Sequence, residues 1–80
     1  MSFHYTYVLR CADGHLYTGS TSDLRRRFTE HRTGKVPATA PRIPVELIYY
    51  EACLSLASAQ DRERQLKTGF GRAYLKRRLA

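Results

Sequence analysis

The chain of 80 residues contains no tryptophan and no asparagine, one methionine, and two cysteines that do not form a Cys-x-x-Cys pair. We interpret Cys11 and Cys53 as small core residues of a reduced protein, in preference to a disulfide or a metal pair. No segment approaches the roughly 20 apolar residues that a membrane span needs. The N-terminal residues lack the charged and apolar regions of a secretory leader, so we expect a cytoplasmic protein without a membrane partner.

Acidic residues are also scarce, since seven Asp and Glu stand against fourteen Lys and Arg, for a formal net charge of +7. This excess of positive charge favours polyanions, because basic side chains release the counterions condensed on nucleic acid. A chain of this length is expected to bury only about 60% of its unfolded surface. We therefore predict a single small domain over residues 1–80 that binds nucleic acid.

The pattern of apolar residues and turn signals predicts an α+β fold. The elements are strands at 3–11 and 16–21, a helix at 22–32, a proline-containing loop at 35–44, a strand at 45–53, and helices at 56–67 and 72–79. Their order is ββαβαα, which indicates a small three-stranded, mostly antiparallel sheet flanked by helices.

The connection between the first two strands, Ala-Asp-Gly at 12–14, allows two registers. A two-residue Asp-Gly loop pairs Arg10 with Tyr17 and puts Tyr7 on the opposite face from Tyr17. A three-residue loop with Gly14 in the left-handed conformation instead places Tyr7 and Tyr17 on the same face, together with Leu9 and Gly19. The sequence leaves both registers open.

Both longer helices carry a charged residue within their apolar stripe. In the first helix, Leu24, Arg27, Phe28 and His31 share one face. In the second, Glu63 lies in line with Leu56, Ala59 and Leu66, and Phe70 continues that line. An inward-facing charge needs a partner. Glu63 is therefore expected either to form a structural ion pair with Arg27 or to hold a metal ion.

At these residues the chain resembles the GIY-YIG nuclease domains, specifically the small stand-alone members related to the N-terminal domain of the UvrC excinuclease subunit. The first motif falls on 5–7, which reads Tyr-Thr-Tyr and keeps only the final tyrosine, and the second on 17–19, Tyr-Thr-Gly. The family's helix arginine falls on Arg27, its histidine on His31 and its helix glutamate on Glu63. Many members also carry a late asparagine, which this sequence lacks.

The resemblance implies an endonuclease site of five residues. Glu63 would hold one divalent cation, Mg²⁺ or Mn²⁺, and Arg27 would bind the non-bridging phosphate oxygens. Tyr17 would act as the general base, which requires nearby cations that favour the phenolate. Tyr7 would support the site by hydrogen bonding, and His31 would accept the proton from Tyr17 or bind phosphate.

We expect the substrate to be DNA, with a role in DNA repair implied by the resemblance to the excinuclease. No sequence-reading module accompanies the motifs, and exposed tyrosines can stack on unpaired bases, so we favour single-stranded or branched DNA. The expected backbone contacts are Arg25, Arg26, Lys35, Arg42, Lys67, Arg72 and Lys76. The alternatives are a non-catalytic nucleic-acid-binding module of the same fold, and a basic protein that docks on an acidic protein partner.

Overall fold

The sheet has three antiparallel strands in the order β2-β1-β3, which confirms the predicted α+β architecture. A computed structural model describes residues 2–79 and gives β1 as His4–Arg10, β2 as Leu16–Thr21 and β3 as Glu46–Cys53. The central strand β1 is buried from Thr6 to Leu9, whereas β2 and β3 lie at the edges and are only partly covered. The centre of the core therefore lies on β1, and each outer strand leaves one edge free.

The hairpin between β1 and β2 adopts the three-residue loop. The Cys11 amide donates to the His15 carbonyl at 2.8 Å, and Gly14 has φ +88°, the left-handed conformation that favours glycine. In this register Leu9 pairs with Tyr17 and Tyr7 pairs with Gly19. Tyr7 and Tyr17 consequently lie on the same face of the sheet.

The first two helices begin at side-chain caps. Helix α1, Leu24–Arg32, starts two residues later than predicted, because the Asp23 carboxylate accepts the Arg26 amide proton and caps the helix. Helix α2, Leu56–Leu66, begins after Ser55, whose hydroxyl accepts from the Ser58 amide. The proline-containing loop forms a short 3₁₀ turn, Ala40–Arg42, before β3.

Helix α3, Gly69–Leu79, starts three residues earlier than predicted and crosses close to the end of α2. A Cβ atom at Gly71 would lie 2.2 Å from the Gln65 carbonyl oxygen and 2.4 Å from the Leu66 Cα. Glycine is therefore required at this position by the close approach of the two backbones.

The helices cover both faces of the sheet. On one face α1 packs Leu24 and Phe28 against a cluster that contains Tyr7 and Leu9. On the other face α2 and α3 pack against β1 through Val8, Leu66 and Leu75. None of the helices in the described part of the chain is long and apolar enough to cross a membrane.

The apolar stripe predicted for α2 is shorter than expected. Ala59 and Leu66 are buried, but Leu56 is exposed and Phe70 is 73% exposed. Phe70 belongs to α3 and not to α2, so the helical spacing that placed it on the stripe does not continue across the turn. Glu63 keeps the predicted inward-facing position and is only partly exposed.

Candidate functional site

Three buried polar side chains form a hydrogen-bonded chain between the sheet and the long loop. The Tyr7 hydroxyl lies 2.8 Å from His31 Nε2, and His31 Nδ1 lies 2.7 Å from Thr39 Oγ1. All three side chains are at most 1% exposed. Burial, assisted by the positive charge of Arg27, lowers the pKa of His31. The imidazole is therefore neutral near pH 7, with one nitrogen donating and the other accepting.

The Tyr7 phenol is fixed in position and remains protonated. Burial raises the pKa of Tyr7 to about 12, although its interaction with the Arg27 guanidinium acts in the opposite direction. Its ring lies over Gly19, where a Cβ atom would stand 2.6 Å from the phenol oxygen. Tyr7 can therefore hydrogen bond to its neighbours, but it is a poor base.

Tyr17 is the phenol of the site that solvent can reach. It lies on the edge strand β2, is partly exposed, and packs its ring 4.9 Å from the His31 ring and 6.3 Å from the Tyr7 ring, measured between centroids. A cleft of about 550 Å³ opens beside it, with Lys67 and Arg72 in its wall. A polyanion that passes Tyr17 would meet two cations in this cleft.

Arg27 has a partner on its own helix. Its Nη1 lies 3.1 Å from Glu30 Oε1, and the hydrogen bond to Glu30, followed by the interaction with the nearby Tyr7 hydroxyl, raises the pKa of Arg27. The side chain remains 37% exposed. The guanidinium thus sits between the buried Tyr7 hydroxyl and solvent, where a phosphate could approach it.

Glu63 faces the same region from α2. Its carboxylate accepts from Lys67 Nζ at 2.8 Å, and its side chain is 23% exposed. The negative charge of Glu63 contributes to the raised pKa of Tyr7, as does Tyr17, which indicates that the three side chains share one neighbourhood. Among the ion pairs of residues 2–79, Glu63 pairs with Lys67 and Arg27 pairs with Glu30, so the expected Arg27–Glu63 structural pair is not formed.

The residues present suit a cation that needs few protein ligands. Within residues 2–79 no three His, Cys, Asp or Glu side chains come together as a metal cluster. The carboxylate of Glu63 is close enough to Tyr7 to raise its pKa. Mg²⁺ characteristically keeps several waters and takes one or two carboxylates plus substrate phosphates. A single half-buried carboxylate beside a basic cleft fits that mode of binding.

The predicted direct contact between His31 and phosphate is wrong. The His31 side chain is 0% exposed, and both ring nitrogens already bond to Tyr7 and Thr39. The same bonds leave neither nitrogen free to take a proton from Tyr17.

Sequence reasoning missed Thr39, which lies in a loop without periodicity. Its only signal is a hydroxyl in a proline-containing segment.

The predicted backbone-binding residues are distributed over several surfaces. Lys67 and Arg72 line the cleft beside Tyr17, whereas Arg42 forms a 3.5 Å contact with Asp13 at the hairpin loop. The others are exposed on α1, the following loop and α3: Arg25, Arg26, Lys35 and Lys76.

A second polar cluster, also missed from the sequence, lies between β3 and α2. Arg62 donates through Nε and Nη2 to the Glu51 carboxylate at 3.0 Å, and the Tyr49 hydroxyl donates to the same carboxylate. Burial alone would raise the pKa of Glu51, but the Arg62 and Tyr49 hydrogen bonds hold it below its usual range. Because Arg62 also packs over the Tyr74 ring, the cluster has its partners within the fold, and we interpret it as structural.

Known proteins match this chain in both sequence and fold. A family model described as the GIY-YIG catalytic domain matches residues 3–77. A UPF0213 protein of Bacillus pumilus is 47% identical over 66 residues, covering 81% of this chain and 67% of that protein. A UPF0213 protein of Streptococcus agalactiae is 48% identical over 64 residues, covering 79% and 73%. The solution NMR structure of the UPF0213 protein BH0048 from Bacillus halodurans aligns with a TM-score of 0.57 and 36% identity, covering 91% of this chain and 81% of that one.

Proposed function

The chain belongs to the GIY-YIG family of nuclease domains, which act on nucleic acids, and we propose that it is a metal-dependent endonuclease that hydrolyses phosphodiester bonds in DNA. The observation that supports this proposal is that Tyr17 packs beside Tyr7, while Arg27 and Glu63 lie close enough to the Tyr7 phenol to influence its pKa. These side chains come from three different elements, and Tyr17 lines a cleft whose wall includes Lys67 and Arg72.

Hydrolysis needs a water molecule activated for attack on phosphorus and stabilisation of the charge that develops on the phosphate oxygens. Tyr17 is the accessible phenol, so it is our choice for the group that takes the proton from the attacking water. Tyr7 does not compete for this role because its own proton is held by burial.

Arg27 is our choice for the group that binds the non-bridging oxygens of the scissile phosphate. Its planar guanidinium can donate two parallel hydrogen bonds to such oxygens. Glu30 and the Tyr7 hydroxyl interact with the guanidinium on its protein side, while more than a third of the side chain stays exposed to solvent. Tyr7, backed by His31 and Thr39, would thus position Arg27 and not contact the substrate itself.

Glu63 is the residue that would hold the divalent cation, Mg²⁺ or Mn²⁺, together with water and substrate oxygens. When bound, such a cation supplies charge neutralisation for the phosphate and the leaving oxygen. Glu63 would release Lys67 in the process, and Lys67 would then face the phosphate backbone from the wall of the cleft.

We propose single-stranded or branched DNA as the substrate. The basic residues beside Tyr17, Lys67 and Arg72, offer contacts to a phosphate backbone, which carry no sequence information. Arg25, Arg26, Lys35, Arg42 and Lys76 would add contacts along the flanking strand.

The test is cleavage of single-stranded, duplex and flap oligonucleotides by the purified protein with Mg²⁺ or Mn²⁺. We expect cleavage that chelation stops and that Tyr17→Phe abolishes, with Tyr74→Phe as the matched control, because it removes a phenolic hydroxyl that contacts Tyr49 in the structural cluster. Binding with steep salt dependence but without cleavage in either metal would instead identify a non-catalytic nucleic-acid-binding module.

A further inference from the structure

A second cleft, of about 440 Å³, lies on the α1 face of the sheet but away from Tyr17. Its walls come from β1, β3 and the first turns of α1, and they include Tyr5, Tyr50, Phe28 and Leu47. None of these side chains belongs to the site described above. We refer to this feature as the aromatic cleft.

One aromatic ring of this cleft, that of Tyr50, is largely exposed to solvent. Tyr50 is 55% exposed on the edge strand β3, and its ring packs edge-on against Tyr5 at 6.1 Å between centroids. Phe3, which is also exposed, extends the group at 6.5 Å from Tyr5. In a chain with no tryptophan, a cluster of exposed rings beside a cleft marks a surface suited to binding a flat ligand.

The charges at the cleft favour a base over a phosphate as its occupant. Asp23, whose carboxylate caps α1, is one of the lining residues, and its negative charge would disfavour a phosphate group there. Arg25 is also in the wall but exposed, so it can contact a phosphate that flanks the bound group. Aromatic walls with a cation at the rim are the features by which proteins hold unpaired bases of a single strand.

We propose that the aromatic cleft binds an unpaired nucleobase of the DNA strand that is cut at Tyr17. This inference rests on the proposed nuclease function. It adds the place where the protein would distinguish single-stranded from duplex DNA. Tyr5 lies four residues from Leu9 along β1, and Leu9 pairs with Tyr17, so the two sites are about 13 Å apart along the strand direction. That separation is spanned by a few nucleotides of one strand. A base within a duplex is stacked and paired and cannot enter the cleft.

The test measures binding without divalent cation, so that no cleavage occurs. Single-stranded oligonucleotides carrying 2-aminopurine at successive positions are titrated with the protein, and both fluorescence and affinity are recorded. We expect one position whose fluorescence is quenched by stacking, and about a tenfold loss of affinity when that nucleotide is made abasic. Tyr50→Ala should remove both the quenching and the sensitivity to the abasic site, and Tyr50→Leu should remove the quenching while preserving the apolar contact with Tyr5.

Phe70→Ala is the matched control, because Phe70 is an exposed ring on α3 outside the cleft. It should leave quenching and affinity unchanged. The proposal is overturned if the Tyr50→Ala variant is folded by circular dichroism but binds the oligonucleotide and quenches 2-aminopurine fluorescence as the unaltered chain does. This outcome would overturn the cleft proposal even if the unaltered protein cleaves DNA. Conversely, Tyr50-dependent quenching in a protein that cleaves nothing would support the cleft and contradict the nuclease proposal.

Discussion

The Tyr7 hydroxyl occupies the space that a side chain at Gly19 would need. A Cβ atom at Gly19 would lie 2.6 Å from the Tyr7 oxygen and 2.8 Å from its ring carbon Cζ. The two residues are paired across β1 and β2, and Tyr7 is almost fully buried, so its ring cannot move away freely. The glycine of the second motif is therefore explained by packing against the tyrosine of the first.

Gly19→Ala should displace the Tyr7 ring. We expect a loss of about 1–3 kcal/mol in the free energy of unfolding, typical of overpacking in a filled core, and at least about a tenfold loss of cleavage. Urea unfolding and a nicking assay measure the two effects. Gly69→Ala is the control, since nothing lies within 4 Å of a Cβ atom there. Equal stability of the two variants would contradict the packing argument.

Thr39→Val should weaken the buried hydrogen-bonded chain, because valine matches the shape of threonine but cannot bond to His31 Nδ1. Leaving that nitrogen without a partner is expected to cost about 1–3 kcal/mol of stability. As a positioning residue, Thr39 should affect kcat more than KM for DNA. Thr39→Ser retains the hydroxyl and should restore kcat. A serine variant as impaired as the valine variant would argue against the hydrogen bond.

Stability should decrease as the pH falls below about 6.5. The pKa of His31 is lowered in the folded state by burial, whereas the unfolded chain titrates near 6.5, so the unfolded state binds the proton first. The stabilisation is complete above about pH 6.5 and is lost as the pH falls toward the folded-state pKa. Urea unfolding at pH 7.5, 6.5 and 5.5 should show this loss in the unaltered chain and in His15→Gln, but less of it in His31→Gln.

Lys67→Gln should increase the affinity for a divalent cation, because Lys67 Nζ donates a hydrogen bond to the Glu63 carboxylate at 2.8 Å and competes with the cation. An exposed ion pair is worth about 0.2–1 kcal/mol, so the Mn²⁺ dissociation constant should fall by about 1.4- to fivefold. Electron paramagnetic resonance of Mn²⁺ with the protein alone measures this without substrate. Arg64→Gln, which disrupts an ion pair with Asp61 on the same helix, should leave Mn²⁺ binding unchanged. A weaker affinity in Lys67→Gln would contradict a cation at Glu63.

Periodicity in the sequence was sufficient to predict most of the fold. It placed the three strands and three helices in order, and it identified Arg27 and Glu63 as charges on inward-facing stripes. The hairpin register remained open until the backbone showed the left-handed Gly14. These features depend on residues that are close together in the sequence, and periodicity reports on such residues.

Contacts between distant segments could not be predicted in the same way. Periodicity tells which face His31 occupies but not how deeply it is buried, so its pairing with Thr39 across the loop was not foreseen. The Glu51–Arg62 pair likewise joins a strand to a helix that the sequence alone cannot bring together. Phe70 was assigned to the wrong face because the chain turns between α2 and α3.

The most direct test of the account is single-turnover cleavage by Glu63→Gln, compared with Glu46→Gln, which removes an exposed carboxylate on β3. Glu63→Gln preserves the shape of the side chain but removes the charge that would hold the cation. We predict that it folds normally by circular dichroism and cleaves at least about 100-fold more slowly in Mg²⁺ or Mn²⁺, an expected loss of about 2.7 kcal/mol in transition-state stabilisation. Cleavage by Glu63→Gln at the rate of Glu46→Gln would contradict the assignment of the site.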